Sequence, residues 1–141
     1  MIRVRKSIIS LLVGVALCSG CTPVNHRLLD TEQSQVQLRQ MQTRAFDTTD
    51  VERTLRAAIA TLQDLGFVVD KADLELGTVS ATKLDGYALR MTVTVRRRGA
   101  TQVSVRANAQ YNLHPVTEPQ PYQSFFVALE RAMFLSAHSV E

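Results

Sequence analysis

The chain has 141 residues, 45% of them hydrophobic and 21% charged, enough for one domain around one core; such a composition excludes a wholly disordered chain. Its formal net charge of +3 invites a nucleic-acid reading, but Arg3, Arg5 and Lys6 supply all of that excess. Residues 21–141 hold 13 basic and 13 acidic side chains and are neutral, so no nucleic-acid partner is expected.

The three basic residues precede an apolar run from Ile8 to Leu17, and Cys18, Ser19 and Gly20 are small residues ahead of Cys21. Together they have the layout of a secretory signal over residues 1–20. The run is about half the ~20 residues needed to cross a bilayer. Leu17-Cys18-Ser19-Gly20-Cys21 resembles the lipobox of bacterial lipoproteins, although Cys18 departs from the aliphatic residue usual at its position. The resemblance implies cleavage before Cys21, a diacylglycerol on its sulfur and acylation of its new amine. The processed chain then keeps one cysteine, so no internal disulfide is expected. Acyl chains bury methylenes at ~0.8 kcal/mol each, and several chains make anchoring effectively permanent. Thr22 stands where an Asp in Gram-negative lipoproteins holds the protein in the inner membrane. The resemblance therefore implies an outer-membrane lipoprotein facing the periplasm.

Residues 21–37 are polar, with Pro23 near their start, and read as a lipidated N-terminus and flexible tether. Residues 38–141 read as a single α+β domain. Leu38–Phe46 is expected to form a first edge strand. Thr49-Asp50-Val51-Glu52 has capping-box spacing and predicts a helix from Thr49. Its apolar stripe is Val51, Leu55, Ala58, Ile59, Leu62 and Leu65, and Gly66 follows as a C-terminal cap.

Four strands are then expected. Phe67–Asp70 and Gly77–Leu84 come first, and Asp85-Gly86 is a tight-hairpin signal. Tyr87, Leu89, Met91, Val93 and Val95 alternate with Arg90, Thr92, Thr94 and Arg96. After Arg97-Arg98-Gly99, Val103, Val105, Ala107, Ala109, Tyr111 and Leu113 alternate with Gln102, Ser104, Arg106, Asn108, Gln110 and Asn112. Such alternation predicts an antiparallel sheet with one buried face and one wet face. A last helix opens at Pro119-Gln120-Pro121 and runs to about His138, with Tyr122, Phe125, Phe126, Leu129, Ala132, Met133 and Ser136 in one stripe.

The fold expected is a two-layer α+β domain of order β-α-β-β-β-β-α. An antiparallel sheet of four to five strands carries two helices on one face. The order is similar to the TBP-like, or helix-grip, arrangement. With the lipobox it looks like the domains of the lipoprotein component C of the outer-membrane β-barrel assembly machinery. That likeness spans residues 38–137 in topology only; it implies a scaffold role and carries over no functional residue.

Motifs for catalysis are absent from the sequence. His26, His114 and His138 lie far apart with no cysteine or histidine at ligand spacing, so no metal site and no cofactor are expected. Ser136 and His138, two apart on a helix, face different ways. Asp70, Asp73 and Glu75 lack the glycine and terminal glutamate of a calcium loop and fit turn chemistry instead.

Charge placement is more informative. Gly86–Thr117 contains no acid but carries Arg90, Arg96, Arg97, Arg98 and Arg106, whereas residues 45–85 hold eight acids against four bases. The alternation puts Arg90, Thr92, Thr94, Arg96, Ser104, Arg106, Asn108 and Gln110 on one candidate binding face, opposite or beside an acidic helix region. The sequence thus leads to a non-enzymatic binding or scaffold module of an envelope complex, held to the membrane by its lipid and facing an envelope protein partner. The second expectation is a carrier of a small lipid or amphiphile, with Tyr87, Phe125, Phe126 and Met133 lining a cavity.

Overall fold

A computed structural model describes residues 35–84 and 86–138, without the side chains of residues 135–138. In chain order its elements are a short helix α1 (35–41), β1 (Thr43–Phe46), α2 (Val51–Asp64), β2 (Val68–Asp73), β3 (Thr78–Leu84), β4 (Ala88–Arg98), β5 (Gln102–Tyr111), β6 (His114–Pro115) and α3 (Gln120–His138). The protein is α+β: an open antiparallel sheet with α2 and α3 against one face.

The sheet order is β1-β5-β4-β3-β2, with β6 beside β1 on the free edge of β5. Strands β2 to β5 form a meander, and α2 carries the chain from β1 at one edge to β2 at the other. At 14 residues α2 is about 21 Å long, matching the ~19 Å between the outer strands of a five-stranded sheet.

Burial follows the periodicities. Val79 and Ala81 of β3, Met91, Val93 and Val95 of β4, and Val103, Val105, Ala107 and Ala109 of β5 are buried on the helix side. Leu55, Ala58 and Leu62 of α2 meet Tyr122, Phe125, Phe126 and Leu129 of α3 above them. Gly66 closes α2 at φ +83°, donating its N–H to the Gln63 carbonyl oxygen. Gly77 makes the turn into β3 at φ +61°, and its carbonyl oxygen accepts the Val95 N–H at 2.8 Å. A Cβ there would lie 2.5 Å from the Val95 carbonyl oxygen.

Several expected boundaries move. Only Thr43–Phe46 of the expected Leu38–Phe46 strand is extended, and residues 35–41, three of them assigned to the tether, are helical. Part of the reason is that β6 occupies the edge of β5 that a longer first strand would need, pairing Gln110↔Pro115 and Tyr111↔His114. Asp50, rather than Thr49, caps α2: its Oδ1 accepts the Arg53 N–H at 2.9 Å. Glu52 pairs instead with Arg56 at 2.7 Å. Strand β2 continues to Asp73 through an irregularity between Val69 and Lys71. Strand β5 stops at Tyr111 because Asn112 takes φ 52°, a left-handed conformation that asparagine tolerates better than most residues. Leu113, expected on the buried side, is therefore 88% exposed, and Tyr87 at the start of β4 is 56% exposed.

Between β1 and β6 the edge of β5 has a gap, which a helix side chain fills. The Gln42 carbonyl oxygen accepts from Ala107 N–H (2.8 Å), and Val116 N–H donates to the Ala109 carbonyl oxygen (2.9 Å). The Ala109 N–H between them donates to the Tyr122 hydroxyl at 3.3 Å. That hydroxyl also accepts from Gln42 Nε2 (3.3 Å) and donates to the Val116 carbonyl oxygen (2.8 Å). Tyr122, 1% exposed, thus substitutes for a missing strand residue and ties α3 to the edge.

Candidate functional site

The face of the sheet opposite the helices is built by strand alternation. Antiparallel register sets Arg90 against Gln110, Thr92 against Asn108, Thr94 against Arg106 and Arg96 against Ser104. All eight candidate residues stand on this face, and no described element covers it. Strand β3 adds Thr78, Ser80 and Thr82, opposite Thr94, Thr92 and Arg90. Arg98, opposite Gln102, extends the face at its far end. Small hydroxyl side chains therefore fill the middle of the sheet, and arginines stand above them.

The arginines fall into two groups. Arg96 and Arg106 are diagonal neighbours across β4 and β5, at a backbone separation of about 7–8 Å. Both are exposed, and neither is in an ion pair with a described carboxylate. Arg90 is six residues from Arg96 along β4, about 20 Å at strand rise. It belongs instead to the β2 margin, where its Nε lies 4.0 Å from Asp70 Oδ2. The same carboxylate oxygen accepts from Thr82 Oγ1 at 2.7 Å. Lys71, Asp73, Thr78, Ser80 and Thr92 line part of a shallow groove of about 140 Å³ near this margin.

Acidic charge is therefore not segregated on a helix as expected. In α2, Glu52 and Asp64 are matched by Arg53 and Arg56, so the helix is neutral. Asp70 and Asp73 line the β2 edge of the same sheet whose centre is basic. The Asp73 carboxylate serves the following turn, accepting the Leu76 N–H at 2.8 Å.

A guanidinium fork suits carboxylate, phosphate and sulfate oxygens, and two adjacent forks above a hydroxyl-rich floor can hold an extended anionic group. The face expected from the sequence omits Thr78, Ser80 and Thr82. Their signal was present: they alternate with Val79 and Ala81, as the β4 residues do.

Cys21, Thr22 and His26 lie outside the described residues. His114 is exposed in β6. Among the described residues, no group of three or more His, Cys, Asp and Glu side chains is placed to hold a metal ion. No helix among them is long and apolar enough to cross a membrane. Phe125 and Phe126 are buried and pack edge-on at 5.2 Å, whereas Tyr87 lies outside the core against Tyr111. No protein-family model matches the chain, and no curated protein matches it.

Proposed function

We propose that this chain is an outer-membrane lipoprotein, anchored through Cys21 and facing the periplasm, whose folded part is a non-catalytic binding module of an envelope complex. The sheet face is its recognition surface, and an acidic segment of an envelope protein is its partner. One observation carries this reading: Arg96 and Arg106 stand side by side on a hydroxyl-rich sheet face that no described element covers, and neither is ion-paired with a described carboxylate. Exposed arginine on a sheet face also deters edge-to-edge pairing. That role is met at the margin by Lys71 and the β2 irregularity and leaves the central pair unexplained.

The carrier reading gains no support from the aromatic residues expected to line its cavity, since Phe125 and Phe126 are core packing. The test is photo-cross-linking in cells from Asn108, in the full chain and in an Arg96→Glu/Arg106→Glu variant. Loss of the cross-linked partner in the variant, at unchanged protein level, supports the face. An undiminished adduct would remove the arginine pair from recognition.

A further inference from the structure

The two ends of the sheet differ chemically. At the end made by the β3–β4 hairpin and the β5–β6 turn, four large apolar side chains are turned out: Val68 (72% exposed), Leu84 (82%), Tyr87 (56%) and Leu113 (88%). They share that end by register, with Val68 opposite Thr82, Leu84 opposite Ala88, and Asn112 N–H bonded to the Ala88 carbonyl oxygen. Tyr87 is held in place edge-on against Tyr111, ring centroids 4.7 Å apart. Exposed aliphatic groups beside ordered tyrosines match the composition of a protein surface at a lipid headgroup layer. The opposite end also exposes Leu74 and Leu76, but less, and beside Asp73, Glu75 and Arg96–Arg98.

The length of chain ahead of the sheet gives a second, independent reason. Gln42, the residue before β1, bonds Ala107 and Tyr122, and β1 runs from there toward Phe46↔Val103, away from the apolar end. The described chain therefore meets the sheet at Ala107, midway along β5. Cys21 and Gln35 are 14 residues apart, a reach of at most about 50 Å. That is not much more than the ~35 Å diameter of a domain this size. An anchored domain on so short a lead meets the bilayer at high effective concentration, so a small apolar surface suffices to orient it.

We propose that the end of the sheet bearing Val68, Leu84, Tyr87 and Leu113 rests in the phospholipid headgroup layer, with the strands standing away from the membrane. This rests on the reading of Cys21 as the lipid-bearing residue. The chain contains no tryptophan, so one introduced tryptophan reports on its own position. Leu84→Trp, Leu113→Trp and, at the opposite end, Ala100→Trp are made in the full chain, expressed with its own leader in a bacterial host. The processed protein is placed in vesicles of phosphatidylethanolamine and phosphatidylglycerol, with and without brominated acyl chains. Tryptophan at 84 and 113 is expected to be quenched roughly twofold or more relative to 100, since only the first two reach the interface. Equal quenching at all three positions overturns the inference, as does a difference that disappears when the protein is diluted in lipid, which would mean pairing of two copies. The mass of the processed chain separates the two premises. Acyl chains present with equal quenching sink the orientation alone, whereas their absence sinks the anchor and the orientation with it.

Discussion

Replacing Tyr122 with Phe removes one oxygen from a site where three hydrogen bonds meet. The hydroxyl accepts from Ala109 N–H and Gln42 Nε2 and donates to the Val116 carbonyl oxygen, in surroundings where Tyr122 is 1% exposed. Each bond is worth about 0.5–1.5 kcal/mol net, and a buried group left without its partner costs about 1–3 kcal/mol. Two of the three are long, at 3.3 Å, which places them at the weak end. Ala109 N–H has no neighbouring strand to turn to, because β1 ends before it and β6 begins beyond it. The expected loss is therefore about 2–3 kcal/mol, or a fall in Tm of roughly 10–20 °C for a domain of this length. Urea unfolding of the full chain measures it, with the denaturant slope unchanged because the exposed area on unfolding is the same. Tyr87→Phe is the control: its ring is half out in solvent, and its stability is expected to stay within about 0.5 kcal/mol of the parent. A Tyr122→Phe midpoint indistinguishable from that of the control would refute the claim that a helix hydroxyl completes the β5 edge.

Gly77→Ala should cost about 2–4 kcal/mol in the same unfolding assay, because its left-handed φ and its approach to the Val95 carbonyl oxygen add together. Gly99→Ala, at φ +64° with nothing within 4 Å, should cost only the left-handed share of about 1–2 kcal/mol, and equal losses would remove the close approach from the account. Tyr111 ionises above its ordinary value of 10.0, chiefly through burial, and then through the Tyr87 hydroxyl and the Glu118 charge. Because the folded state resists the phenolate, Tyr111 contributes stability that is fully present below 10.0 and is lost as pH rises through its higher folded value. Tyr87→Phe should lower the phenolate absorbance midpoint of Tyr111, and an unmoved midpoint would deny the contact a part in the shift.

The layers of the fold were legible because they repeat. Strands β4 and β5 alternate over ten or more residues, and the stripes of α2 and α3 return every three or four, so the two faces of the sheet and the apolar helix stripes followed from side-chain period alone. What was illegible was non-periodic. Whether residues 38–41 extend β1 depends on whether the β5 edge is free, and that is decided by β6, more than 70 residues later. The cap of α2 turned on a competition between adjacent Thr49 and Asp50, both good capping residues, which spacing to Glu52 resolved the wrong way. On β4 and β5 alternation puts the eight candidate residues on one face, and β3 widens that face beyond them. Its acidic margin on β2 escaped because Asp70 is the unpaired residue of a register shift and Asp73 lies beyond it, which one-dimensional alternation does not show. The exposed Leu113 escaped for a related reason, since the alternation runs on through Asn112 while the backbone does not.

The two surfaces proposed here are separable by distance. Strand β4 spans Ala88 to Arg98, about 34 Å at strand rise, with the apolar side chains at its start and the arginines near its end. Arg96 stands about 27 Å from Ala88, several Debye lengths at physiological salt, so a bilayer touching the apolar end contributes little to the potential at Arg96 and Arg106. Their anionic counterpart must then be a group that projects from the membrane or approaches through the periplasm, rather than the headgroups themselves. Charge reversal at Arg96 and Arg106 should consequently abolish partner capture while leaving quenching of a tryptophan at position 113 as it was. A change in that quenching on charge reversal would mean that the arginines, not the apolar end, face the lipid.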